Sequence, residues 1–180
     1  MSFETAFTHT VGVEGKYSSN PADSGGETIW GITEALARAY GYTGGMRDMP
    51  LATAQTIYYR HVWAGLGLDL VDQASQKIAA EMFDTAVNCG RSVPVGYLQR
   101  ALNLFNRQQV DYADVPVDGS CGTRTIAALR AFLAKRGARG EAVMLKALNC
   151  LQGARYFEIA ERRPKDETFT FGWFDNRVAI

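Results

Sequence analysis

The sequence has few of the residues that build metal centres or disulfide frameworks. It holds two histidines, His9 and His61, and three cysteines, Cys89, Cys121 and Cys150, in 180 residues. An odd set of cysteines with no CxxC excludes a disulfide scaffold and suits a chain that folds under reducing conditions. The histidines are far apart and stand at no ligand spacing, so no metal site is expected. No cysteine has a nearby histidine to activate it. GxSxG, a phosphate-binding P-loop and a GxGxxG helix start are all missing, and no cofactor is expected. The "DSGGE" loop has oxygens but not the alternating ligands of a calcium loop, so it reads as a glycine-rich turn. No apolar run reaches the roughly 18 residues of a membrane span, which argues against membrane insertion. The start, "MSFETAFTHTVGVEG", carries Glu4 and no basic segment, so it does not read as a secretory signal. Lys plus Arg and Asp plus Glu both total 19, and this balance gives no field for nucleic acid.

What is present is ordinary globular material, 47% hydrophobic and 21% charged, enough for a sizeable core. The charge is unevenly spread. Residues 1–92 hold six basic and ten acidic residues, and residues 93–180 hold 13 and nine. Helical spacing of Phe3, Phe7 and Val11 predicts a first helix that starts near Ser2 and runs to Gly15, with Glu14 on its last turn. From Lys16 to Ile32 the helical period is lost, and turn residues separate short extended pieces. Thr33 is placed to cap "EALARAY", which Gly41 ends. "LATAQTIYYRHVW" reads as a third helix. "QASQKIAAEMFDTAVNCG" carries two adjoining apolar stripes and reads as a central helix. "VGYLQRALNLFNR", "TRTIAALRAFLAKRG" and "EAVMLKALNCLQGARYFEIAERR" are three more, the last starting after Gly140. The aromatic tail is expected to pack back on the body. No linker separates residues 1–92 from 93–180, so the two regions are expected to share one core.

Glu14, Asp23 and Thr28 remain as a candidate constellation. If Lys16 to Ile32 folds as a hairpin, Asp23 and Thr28 return toward Glu14. Glycosidic cleavage needs a carboxylic acid of raised pKa to protonate the leaving oxygen. It also needs a second carboxylate for the attacking water or the developing positive charge. A hydroxyl such as Thr28 can hold that water. The plain alternative is a solvated helix-end Glu and a turn Asp.

The order "EG-x-Y", then "D-x-GG-x-T", then "GI" resembles the signature of the family 108 glycoside hydrolases, N-acetylmuramidases of phage endolysins and of holin-linked toxin release. "YYRHVW" and "FDTAVNCG" extend the likeness. The segments "LQRALN", "VDGSCGTRTIAAL", "GARYFEIAERRP" and "FGWFDNRV" resemble the predicted peptidoglycan-binding region that follows in this family. The resemblance implies Glu14 as catalytic acid with Asp23 and Thr28 as its partners. Lys16 departs from it, since the family commonly has Gly there. It implies an α+β, mostly α, lysozyme-like fold with a small N-terminal β-hairpin lobe and a larger helical lobe, the cleft lying between them. On that picture Tyr17 and Trp30 offer faces for sugar rings. Asp84 and Asn88 stand near the cleft as glycan contacts or as hairpin anchors. Residues 1–92 become the muramidase region and 93–180 the peptidoglycan-binding region.

The expected activity is endo-cleavage of the β-1,4 bond between N-acetylmuramic acid and N-acetylglucosamine, by a monomer. The partners are peptidoglycan glycan strands and, indirectly, a holin or comparable release pore. The protein would be made in the cytoplasm and act in the periplasm or cell wall after release. Two rivals stay open at this point: a lytic transglycosylase, and a non-catalytic peptidoglycan-binding protein.

Overall fold

The computed structural model describes residues 3–12, 17–18 and 26–178. Packing divides the chain into two units, Met1–Gly65 and Leu66–Ile180.

In the first unit, helix α1 (Phe3–Val11) buries Phe3, Ala6, Phe7 and Thr10. It ends at Val11 because Gly12 takes the left-handed conformation, φ 75°, and donates its amide to the Thr8 carbonyl at 3.1 Å. The helix therefore stops short of the expected Gly15. Strands β1 (Thr28–Ile29) and β2 (Ile32–Thr33) pair antiparallel, with Thr28 opposite Thr33. Ser18 adds a bridge on the outer side of β1 through two 2.8 Å backbone bonds with Thr28. Thr33 ends β2 and caps helix α2 (Glu34–Ala39), its hydroxyl accepting from the Leu36 amide at 3.3 Å. Helix α3 (Leu51–Tyr58) runs on into a π-helical turn, Tyr59–Trp63, and a 3₁₀ turn, Ala64–Leu66. The core of this unit is aromatic. Phe3 meets Tyr59 and Trp63 edge-on at 5.3 and 5.6 Å, and Phe7 meets Tyr58 at 5.6 Å.

The second unit is helical among its described residues. Helices α4 (Leu68–Ala74) and α5 (Gln76–Cys89) are separated by Ser75. The Ser75 hydroxyl accepts from the Ile78 amide at 3.2 Å and donates to Glu141 at 2.7 Å, capping α5 and tying it to α7. Both apolar stripes of α5 are buried: Ile78, Met82 and Ala86 in one, Ala79 and Phe83 beside them. Around it pack α4, α6 (Val93–Phe105) and α7 (Thr123–Arg162), and α8 (Glu167–Arg177) packs on α7. The two long helices expected from the sequence are the two arms of α7, joined at Gly137, φ 57° and ψ −150°. The aromatic tail does return: Trp173 stacks on Tyr156 at 5.1 Å, and Phe174 lies 4.9 Å from Phe157. Gly153 permits this approach, since a Cβ there would stand 3.1 Å from the Phe174 ring.

The "VDGSCGT" stretch is scaffold. The buried Gln99 amide of α6 donates to Asp118, the Ser120 carbonyl and Thr125, at 2.8, 2.9 and 3.1 Å. Its oxygen accepts from the Gly119 amide at 3.0 Å. Gln99→Leu strands these groups, and we expect a loss of about 2–3 kcal/mol in urea unfolding. An unchanged midpoint would show that the loop is not held by this residue.

Candidate functional site

The site region of the first unit is built on the hairpin. Its two-residue turn, Trp30-Gly31, has φ 54° and 74°. Both values are positive, as a turn that follows the twist of the flanking strands requires. Glycine accepts this freely, whereas a tryptophan does so against its Cβ. Two bonds hold Trp30 in place: its indole Nε1 donates to the Met49 carbonyl at 3.0 Å, and its own carbonyl accepts from the Tyr58 hydroxyl at 3.0 Å. Backbone strain held by surrounding contacts is a feature of functional sites. Burial pushes the Tyr58 hydroxyl up to about 12, so it stays a donor at neutral pH. A Cβ on Gly31 would come within 2.7 Å of that hydroxyl. Gly31→Ala is therefore expected to cost about 2 kcal/mol or more and to loosen the Trp30 turn. Equal stability in chemical denaturation would rule this reading out.

Tyr17, Thr28 and Trp30 all lie at this hairpin. Thr28 opens β1, half-buried, one bridge from Ser18 and so next to Tyr17. Tyr17 is half-buried and donates its hydroxyl to Glu27 at 2.7 Å. One face of its ring is covered by the Arg47 guanidinium, 4.6 Å from the centroid. Trp30 is half-buried, with its indole nitrogen already committed. Glu14, Lys16 and Asp23 lie outside the described residues.

Asp84 and Asn88 belong to the second unit. Asp84 is buried, and both carboxylate oxygens are engaged: Arg177 of α8 donates at 2.6 Å and Gln152 of α7 at 2.7 Å. Asn88 donates to the Asp84 carbonyl at 2.8 Å. These contacts make Asp84 a tie between three helices, α5, α7 and α8, and leave neither carboxylate oxygen as an open hydroxyl acceptor. Cys89 and Cys121 are not poised as nucleophiles. Burial pushes their thiols up to about 12 and about 11, far from the thiolate form at neutral pH.

Sequence reasoning passed over Glu27 and Arg47, which set the position of Tyr17, and over Glu81. Glu81 sits one turn before Asp84 on α5 with Thr85 and Asn149 as hydrogen-bond partners. Burial, and then the Asp84 charge, push its carboxyl up to about 7. The folded chain thus binds this proton more tightly than the unfolded chain. Stability from Glu81 is fully present below about pH 4.5 and is lost as pH rises through about 7. Glu81→Gln should flatten that part of the stability profile and raise the melting temperature at pH 8 relative to wild type. If wild type and variant run parallel from pH 5 to 8, the shift is absent.

Comparison with known proteins agrees with the resemblance. Residues 7–90 match the family described as Glycosyl hydrolase 108, and residues 93–178 match a predicted peptidoglycan domain. The chain is similar to the solved structure titled "Structure of Brucella abortus SagA". The TM-score is 0.68 and the identity 25%, over 96% of this chain and 87% of that one. No curated protein matches. The fold is thus the mostly helical, lysozyme-like one expected. The family boundary at residues 90–93 does not coincide with the packing boundary at Gly65: α5, inside the hydrolase match, packs on α6 and α7 of the peptidoglycan domain.

Proposed function

From the premise that residues 7–90 belong to glycosyl hydrolase family 108 and residues 93–178 form a peptidoglycan domain, so that the chain is a peptidoglycan hydrolase, we propose that it is an endo-N-acetylmuramidase. It cleaves the β-1,4 bond between N-acetylmuramic acid and N-acetylglucosamine. Glu14 is the acid that protonates the leaving oxygen, and Asp23 with Thr28 orients the attacking water. Tyr17 and Trp30 flank the bound sugars from the hairpin. The observation that carries this reading is the co-location of Thr28, Tyr17 and the strained Trp30 turn within the stretch matched to the hydrolase family.

Inversion of configuration is the expected course, which needs roughly 6.5–9.5 Å between the two carboxyls, against roughly 5–5.5 Å for retention. The biological setting we propose is phage lysis, with regulated toxin or protein release by the same chemistry as the second. In either, the chain is made in the cytoplasm and reaches the wall through a holin or comparable pore. Among the described residues no helix is long and apolar enough to cross a membrane.

The test is digestion of purified peptidoglycan beside a chitin oligomer of N-acetylglucosamine alone. A muramidase releases soluble fragments from the first and leaves the second intact. Cleavage of chitin and not of peptidoglycan would overturn the specificity.

A further inference from the structure

We infer that the groove where the end of α6 meets the bend of α7 is a docking site for the carboxylate-bearing stem peptide of peptidoglycan. This inference rests on the reading of the chain as a peptidoglycan hydrolase. It adds a second contact, to the peptide rather than to the glycan.

The groove encloses about 240 Å³. Its base is the stacked pair Phe105 and Phe132, 5.8 Å apart at 21°. Leu104 and Val143 stand on its walls and are left 80% and 43% exposed, an unusual placement for large aliphatic side chains at one concavity. Gly140 keeps it open. A Cβ there would overlap the Arg136 side chain and touch the Phe132 ring at 3.4 Å. The bend at Gly137 lies one turn before it.

The rim is cationic. Arg107, Arg136 and Arg139 line the groove, and Lys135 is adjacent. The carboxylate that faces this group is Asp111. It takes Arg107 through Nε at 2.9 Å and Nη2 at 2.5 Å, with Arg136 and Lys135 further off, at 3.6 and 3.9 Å. Three cations surround this carboxylate, and with Arg139 on the rim they leave a positive local field in a chain of zero net charge. Arg107 is delivered by a strained backbone. Arg107, Gln108 and Gln109 are three successive non-glycine residues with φ 54°, 57° and 67°. Such a run is strained and persists only where it is held. The holder is Asn106, 1% exposed, whose Oδ1 accepts from the Gln109 amide at 3.1 Å and whose Nδ2 donates to Asp114 at 2.6 Å.

An apolar floor with guanidinium groups along one edge fits a ligand that carries an alkyl side chain beside a carboxylate. A stem peptide, with its aliphatic residues and terminal D-alanine carboxylate, has this chemistry. The bare glycan backbone does not. The size of the groove suits a terminal residue and its carboxylate, not a polyanion.

The experiment is calorimetric titration of the full chain with the free stem tetrapeptide, and with the same peptide carrying amidated carboxyls. Wild type is compared with the Leu104→Ser/Arg139→Gln double variant, whose two changed side chains are exposed and leave the fold intact. The tetrapeptide should bind wild type, and both amidation and the double substitution should weaken it by about tenfold or more. Equal binding by the double variant, equal binding of the amidated peptide, or no binding to wild type overturns the inference. The probe has no glycosidic bond, so the result is independent of catalysis. Glycan cleavage without peptide binding sinks this site alone, and peptide binding without glycan cleavage sinks the hydrolase reading alone.

Discussion

Glu14→Gln is expected to reduce the release of soluble fragments from peptidoglycan by about a thousandfold while the chain folds as wild type. Glutamine keeps the size of the side chain and removes its proton-donating carboxyl. General acid catalysis contributes roughly 10²–10⁴-fold, and more is lost when the leaving sugar must depart as an alkoxide. Asp23→Asn and Thr28→Val should each slow turnover less, because they act on the water rather than on the leaving group. If the acid assignment holds, Glu14→Gln still binds purified wall and melts with wild type, so that only turnover separates the two proteins. Near-normal activity would remove Glu14 from the mechanism and with it the order of roles given to Asp23 and Thr28.

The second large effect belongs to the second unit. Arg177→Ala should destabilise the second unit by about 2–3 kcal/mol, since it leaves the Asp84 carboxylate inside the helix packing with Gln152 as its remaining side-chain donor among the described residues. Arg177 is also the link that holds the C-terminal end of α8 to α5. Removing both partners, as in Asp84→Ala/Arg177→Ala, should cost clearly less than the sum of the two single changes, because no charge is then stranded. Urea unfolding of the four proteins measures the coupling. Additive single effects would show that the ion pair is incidental and that Asp84 is available for another role.

Much of this architecture is written in local patterns. The two apolar stripes of α5, the Thr33 cap and the return of the aromatic tail were each legible from spacing or residue type. The errors fall where two glycines compete for one task. The first helix was expected to stop at Gly15, and it ends at Val11, where Gly12 of "VGVEG" adopts positive φ. "RGARG" offers Gly137 and Gly140 as breaks, and the bend is at Gly137, while Gly140 stays helical and serves instead by lacking a Cβ. A glycine signals permission for a left-handed turn, and only the packing around it decides whether the permission is used.

Ser18 bridges Thr28 and so sets Tyr17 beside the hairpin, a contact that the expected return of Asp23 and Thr28 toward Glu14 did not include; Glu14 and Asp23 lie outside the described residues. The surroundings of Asp84 were not legible. Its partners stand 68 and 93 residues away in sequence, on helices whose approach depends on the bend in α7. The same holds for Glu81, whose raised pKa comes first from burial in the folded chain and only then from its neighbour Asp84 in "AAEMFD". Arg107, by contrast, gives a faint local sign. "NRQQVD" contains no glycine, yet it makes a left-handed turn, and the buried Asn106 that holds it is the residue type most able to do so.

The central claim is that this chain hydrolyses the glycan at muramic acid, and the chemistry of the new chain ends tests it most directly. Peptidoglycan digested by the wild-type protein should yield fragments that end in reducing N-acetylmuramic acid, seen by mass spectrometry as a borohydride-reducible end. Fragments ending in 1,6-anhydro-muramic acid would contradict the account, since no water would then enter the bond and the pairing of Asp23 with Thr28 would have no task.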